Sequence, residues 1–215
     1  MKKYGIVLIA LFVLLAVVPA SAQMRFGFTA GLSLANTSSD ELADAIATAN
    51  NATTELSSRV GFAVGGVVAF PLSENVGLHL QPMYVQKGTK VTINALNVED
   101  KVTISYLEVP AMVKMMFGAS ETRPYVMAGP TLGLKLSASS DEDKLNAKSD
   151  DFNSIDFGLA FGGGVSFPAG NNSFFVEARY GLGLSNALNK DTFGNLEAKN
   201  KMILINAGMT FPLGQ

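Results

Sequence analysis

The sequence predicts an all-β fold: an eight-stranded antiparallel transmembrane β-barrel, laid out as an up-and-down meander behind a cleaved signal peptide. Three observations carry that expectation. Long segments alternate apolar and polar residues with a period of two, which marks strands rather than helices. The connections between them alternate long and short. The N-terminus reads as an export signal.

Lys2 and Lys3 precede an apolar run from Ile6 to Val18, then Pro19 and Ala20-Ser21-Ala22, an A-x-A cleavage site ahead of Gln23. The run is short for a membrane anchor, and no cysteine at the site offers a lipid attachment. Residues 1–22 are therefore expected to be a signal peptide, and residues 23–215 one barrel domain. The chain has no cysteine at all, so sheet and core alone must hold the exported domain together. Loss of Lys2 and Lys3 takes the formal charge from −2 to −4. That mildly acidic balance gives no hold on nucleic acid.

The first strand is expected over 24–35, with Phe26, Phe28, Ala30, Leu32 and Leu34 on one face and Arg25, Gly27, Thr29, Gly31 and Ser33 on the other. A polar stretch, 36–57, follows. Its centre, 40–49, suits a short helical turn capped by Ser39 or Asp40. The second strand, 58–70, puts Val60, Phe62, Val64, Val68 and Phe70 together. After the turn 71–75, the third starts at Val76, with Leu78, Leu80, Pro82 and Tyr84 opposite His79, Gln81, Met83 and Val85. Pro82 lacks a ladder donor and predicts a bulge. This strand is expected to continue through Val91 and Ile93.

The fourth strand, 101–117, sets Leu107, Val109, Ala111, Val113, Met115 and Phe117 against Tyr106, Glu108, Pro110, Met112 and Lys114. The fifth, 123–138, has Val126, Ala128, Leu132, Leu134 and Leu136 opposite Arg123, Tyr125, Met127 and Lys135. The sixth, 152–167, sets Phe157, Leu159, Phe161, Val165 and Phe167 against Asp156 and a run of small residues. The seventh, 174–186, carries Phe174, Val176, Ala178, Tyr180 and Leu182 opposite Phe175, Glu177 and Arg179. The eighth, 201–213, has Ile203, Ile205, Met209 and Phe211 opposite Met202, Leu204 and Asn206.

The long connections are then 36–57, 94–100, 139–151 and 187–200, and the short ones 71–75, 118–122 and 168–172. Outer-membrane barrels have short periplasmic turns and long outer loops in this order. Most segments reach the length needed to span lipid, about 9–11 residues. Closure would leave no backbone group unpaired in lipid. The expected location is the outer membrane of a Gram-negative cell. Periodicity alone also admits a secreted sandwich or a lipocalin-like barrel, with the aromatic face as its core.

Several segments resemble the small outer-membrane β-barrel proteins common in Bacteroidota, a group that includes the PorT-like proteins. They are Tyr106-Leu107-Glu108-Val109-Pro110, the run from Arg123 to Pro130, the glycine-rich run from Asp156 to Gly164, Glu177-Ala178-Arg179-Tyr180, and Asn206 to Phe211. The resemblance implies location and fold far more firmly than activity. In that family prolines are usual after the strand-four glutamate and in strand five, where Pro110 and Pro130 stand here. Some relatives serve gliding or protein secretion; most have no assigned role.

The candidate site is a polar network in the barrel interior: Arg25, His79, Glu108, Arg123, Lys135, Asp156, Glu177 and Arg179. It could line a narrow solute channel or plug the barrel with ion pairs. Eight strands leave little lumen, which favours the plug. A lipid-modifying enzyme is a further alternative, for which His79, the only histidine, would be the acid–base group. Its inward position argues against that chemistry. No cofactor is expected. One histidine without cysteine makes a poor zinc site, the acids of 141–151 lack the EF-hand spacing, and Gly162-Gly163-Gly164 lacks the lysine of a phosphate loop. A monomer with a structural or surface-interaction role follows, in contact with lipid, lipopolysaccharide and the outer-membrane assembly machinery. Loops 36–57, 139–151 and 187–200 are the candidate surface for a protein or glycan partner.

Overall fold

The computed structural model describes residues 24–213 apart from 39, 51–52, 94–97 and 141–147. The expected signal peptide, Ser39 as a helix cap and most of the acidic 141–151 cluster lie outside the described residues. Among the described residues nine strands, rather than the expected eight, form one antiparallel sheet. They are β1 (Arg25–Ser38), β2 (Thr54–Pro71), β3 (Val76–Leu80), β4 (Met83–Ile93), β5 (Val98–Met116), β6 (Arg123–Ser140), β7 (Ile155–Ala169), β8 (Asn172–Gly183) and β9 (Lys199–Pro212).

The extra strand has a chemical cause. Pro82 has no N–H, so the ladder lapses at Gln81 and Pro82. Across the lapse, Leu80 opposes Ala111 and Met83 opposes Glu108, at one unchanged offset. On the other side, Leu80 opposes Val68 and Met83 opposes Gly65, again at one offset. β3 and β4 are thus two parts of a single course. The bulge expected at Pro82 is instead an interruption without a register shift. Shifts occur elsewhere, between Ser58 and Ala63 and between Ser105 and Tyr106. The carbonyl of Pro82 still accepts from Gly66 N at 2.9 Å, and Gln81 N donates to the carbonyl of Pro110 at 3.2 Å. Pro110 itself sits within an unbroken β5.

β1 pairs with β2 along one edge and with β9 along the other, so the ladders return to the strand they start from. The β1–β9 ladder runs from Arg25 opposite Pro212 to Ser38 opposite Lys199. Phe26 and Phe28 pack on Phe211 across that seam, with ring centroids 5.6 and 6.0 Å apart.

At one end of the sheet the connections are tight. β7 and β8 are joined at Gly170 and Asn171, and Gly170 takes a positive φ of 63°. At the other end, helix α1 (Asp40–Asn50) lies within the 36–57 connection. Its Leu42 is buried and its Ile46 packs against the same apolar cluster, which includes Val102, Ile104, Phe152 and Leu188. A second short helix, α2 (Lys190–Phe193), is capped by Asn189, whose side chain accepts from Asp191 N at 3.2 Å. The connection expected over 94–100 is shorter than predicted, because the β4–β5 ladder continues to Ile93 opposite Val98.

The two faces are inverted relative to a soluble sheet. Phe28, Leu32, Val60 and Ile205 are 60, 63, 61 and 58% exposed, whereas Glu108, Asp156, Glu177 and Arg179 are buried. A sandwich with its aromatic face inward would show the reverse. Apolar residues fill much of the inner face too: Met83, Val85, Ile104 and Met202 in one cluster, Val67, Met112, Met127 and Phe175 in another. On the outer face, Phe70, Leu80 and Ala111 depart from the expected exposure and bury one another beside the Pro82 lapse. Replacing Phe70 with alanine is expected to cost about 3 kcal/mol. Phe174→Ala, at a half-exposed site, is expected to cost less than half of that. Denaturant unfolding of the purified protein in detergent measures both.

Candidate functional site

The eight residues picked out by the sequence fall into four places. Glu177 and Arg179 stand two apart on the inner face of β8, with Arg179 Nε 3.6 Å from Glu177 Oε1. Glu177 also accepts from Tyr125 OH at 2.7 Å, Asn206 Nδ2 at 3.0 Å and Gln81 Nε2 at 3.3 Å. Asn206 Nδ2 further reaches Thr29 Oγ1 at 2.7 Å, drawing β1 in. An ionised carboxylate taken out of water needs donors, and here it has a cation and three of them. The glycine run of β7 makes the room. Gly164 opposes Glu177, and a Cβ there would stand 2.7 Å from Tyr125 OH and 2.8 Å from Glu177 Cβ.

Glu108 and Asp156 form the second group, and Lys87 joins them. Its Nζ is ion-paired with Glu108 Oε2 and lies 3.0 Å from Asp156 Oδ2. Asp156 also accepts from Asn200 Nδ2 at 2.9 Å and Ser185 Oγ at 3.2 Å. Asn200 reaches the hydroxyl of Tyr106 at 3.4 Å, and Lys87 lies over the Tyr106 ring, 5.2 Å from its centroid. Gly88, next to Lys87, has φ 132°, and a Cβ there would stand 1.9 Å from the carbonyl oxygen of Val102. The cavity left beside Lys87, Glu108 and Asp156 measures about 10 Å³, no more than a single water requires.

Arg25, Arg123 and His79 make the third group, around a cavity of about 270 Å³ at the short-turn end. Arg25 donates to the carbonyls of Asn171 at 3.0 Å and Thr210 at 3.1 Å. Arg123 donates to the carbonyl of Glu74 at 3.4 Å and to Asn75 Oδ1. Lys135 stands alone at the other end. Its ammonium donates to the carbonyls of Ser149 and Phe152 and ties the 3-10 turn Ser149–Asp151 to β6.

Sequence reading missed Lys87. The signal was present, since Lys87 continues the odd-numbered face of His79, Gln81, Met83 and Val85. The connection expected over 187–200 ends sooner than predicted, because Lys199 opens β9 and Asn200 follows it there. Gln81, Tyr125 and Asn206 lay on the correct face, but nothing in one sequence says that they meet at Glu177. Among the described residues, no three His, Asp or Glu side chains are grouped to hold a metal.

An antiparallel sheet with apolar residues outside and paired charges within is the construction of an outer-membrane β protein. The chain belongs to the family described as the outer membrane protein beta-barrel domain, whose model matches residues 20–189. Its location is the outer membrane. The fold is similar to that of neisserial surface protein A, with a TM-score of 0.54 and 17% identity, over 87% of this chain and 97% of that one. It is also similar to the outer membrane protein OprG from Pseudomonas aeruginosa, with a TM-score of 0.51 and 13% identity, over 89% and 98% of the two chains. At such identities the likeness is one of fold. No curated protein matches the sequence.

Removing the cation of the Lys87 group leaves two carboxylates facing each other out of water. Lys87→Met is expected to cost about 3–5 kcal/mol. Adding Glu108→Gln to that variant is expected to recover part of the loss, because the two sites share one contact. A double-mutant cycle on urea unfolding checks it.

Proposed function

We propose that the chain is a closed transmembrane barrel of eight courses, β3 and β4 together counting as one, and that it serves the outer membrane as a structural and surface-interaction protein. The observation that carries this reading is the filled interior. Ion pairs at two levels and the methionine-rich clusters occupy the space a solute would need. The exposed apolar face supports contact with membrane lipid and lipopolysaccharide, and insertion by the outer-membrane assembly machinery. The long connections, with α1 and α2, supply the surface that a protein or glycan partner would meet. A monomer suffices, because every strand has a partner on both edges. The resemblance to PorT-like proteins supports the same location; no residue group described above supports a secretion role.

The narrow-channel reading uses the same residues and is separable from this one. The folded protein is expected to fractionate with outer membrane and to migrate differently on gels before and after heating. In planar bilayers it is expected to be silent. Arg179→Ala is expected to lower the temperature at which the heat-modifiable form is lost, without creating conductance. Reproducible conductance steps in the unaltered protein, abolished by Arg179→Ala while heat resistance stays normal, would establish the channel.

A further inference from the structure

Among the described residues, Lys114 is the one buried cation that neither ion-pair group includes. It lies on the inner face of β5 near the short-turn end and is 6% exposed. Its ammonium sits over the Tyr125 ring, 3.5 Å from the centroid. No carboxylate among the described residues comes within ion-pair distance of it. The nearest inner carboxylate group is engaged, since Glu177 already takes Tyr125, Asn206, Gln81 and Arg179. Glu177 attracts it from beyond ion-pair distance, and a lysine this deeply buried without a direct ion pair is costly.

The space in front of Lys114 is the cavity of about 270 Å³ that Arg25, Arg123 and His79 also line. The two guanidinium groups are held in place by the turn carbonyls and Asn75, and Arg123 Nε is buried without a hydrogen-bond partner. Glu74 and Glu121 also line the cavity, but both are solvent-exposed and neither pairs with Lys114. Two planar forks and a point cation around one cavity suit an anion with several oxygens and more than one charge.

We infer that this cavity binds a phosphate group, held by Lys114, Arg25 and Arg123. The group is either free phosphate or the phosphodiester of a lipid headgroup. The Lys114 ammonium supplies the central charge, and the arginine N–H groups donate to the outer oxygens. The site adjoins the Glu177 group through Tyr125 and does not depend on whether any solute crosses the interior.

The test uses the purified, folded chain in a phosphate-free, non-ionic detergent, titrated with inorganic phosphate and followed by calorimetry and by thermal unfolding. Phosphate is expected to bind and to raise the unfolding temperature, as any ligand of the folded state does. Chloride at matched ionic strength is expected to do neither. Lys114→Met, which keeps the stem and removes the charge, is expected to weaken binding at least tenfold and to abolish the thermal gain while the protein stays heat-modifiable. Arg123→Gln, at the half-buried rim, provides a second variant and is expected to weaken binding several-fold. Competition by glycerophosphoglycerol assigns the site to a lipid headgroup, and its failure to compete assigns it to the free ion. Absence of phosphate binding, an equal effect of chloride, or undiminished binding by both variants overturns the inference.

Discussion

The structure depends first on the need of its backbone for partners. An N–H or C=O facing hydrocarbon cannot turn to water, so every strand edge must find another strand. That condition explains why β1 takes β9 as well as β2. It also explains how a proline can be carried in the third course. Pro82 brings no donor of its own, its carbonyl is taken up by Gly66, and its neighbour Gln81 donates to Pro110. The ladder loses regularity there but leaves few groups stranded, and the strands on either side keep their register.

A sheet that pairs its edges in this way leaves its inward charges little water: Glu108, Asp156, Glu177 and Arg179 are all buried. Charged side chains directed inward must then answer one another. Each ion-pair group draws on several strands: Glu177 collects donors from the third course, β6 and β9, and Asp156 from β4, β9 and the segment after β8. These contacts link strands distant in sequence, so they fix how the courses stand relative to each other as well as neutralising charge. The glycines of β7 belong to the same economy of space, since the wall there is thin where its neighbours' side chains are bulky.

Much of this was legible from alternation alone. Period-two patterning assigns Phe28 and Leu32 to one side and Glu177 and Arg179 to the other, because a strand offers only two directions. The strand count was less legible, because Pro82 interrupts hydrogen bonding without disturbing side-chain direction. Phe70 shows a further limit. Its face was read correctly, but its burial depends on Leu80 and Ala111, which only tertiary pairing brings beside it. The role of Lys87 is of the same kind. Its direction follows from parity, while its meeting with Asp156, on a strand far along the chain, does not.

The charges are also unevenly distributed along the axis. Lys87 faces two carboxylates near the loop end, Glu177 and Arg179 balance in the middle, and Lys114 with two arginines stands toward the turns. The two ends therefore differ in how their buried charges are met: Lys87 is paired with carboxylates near the loops, while Lys114 lacks a direct ion pair toward the turns. Two ends of one small wall thus hold their charges differently, paired at one and gathered around a cavity at the other.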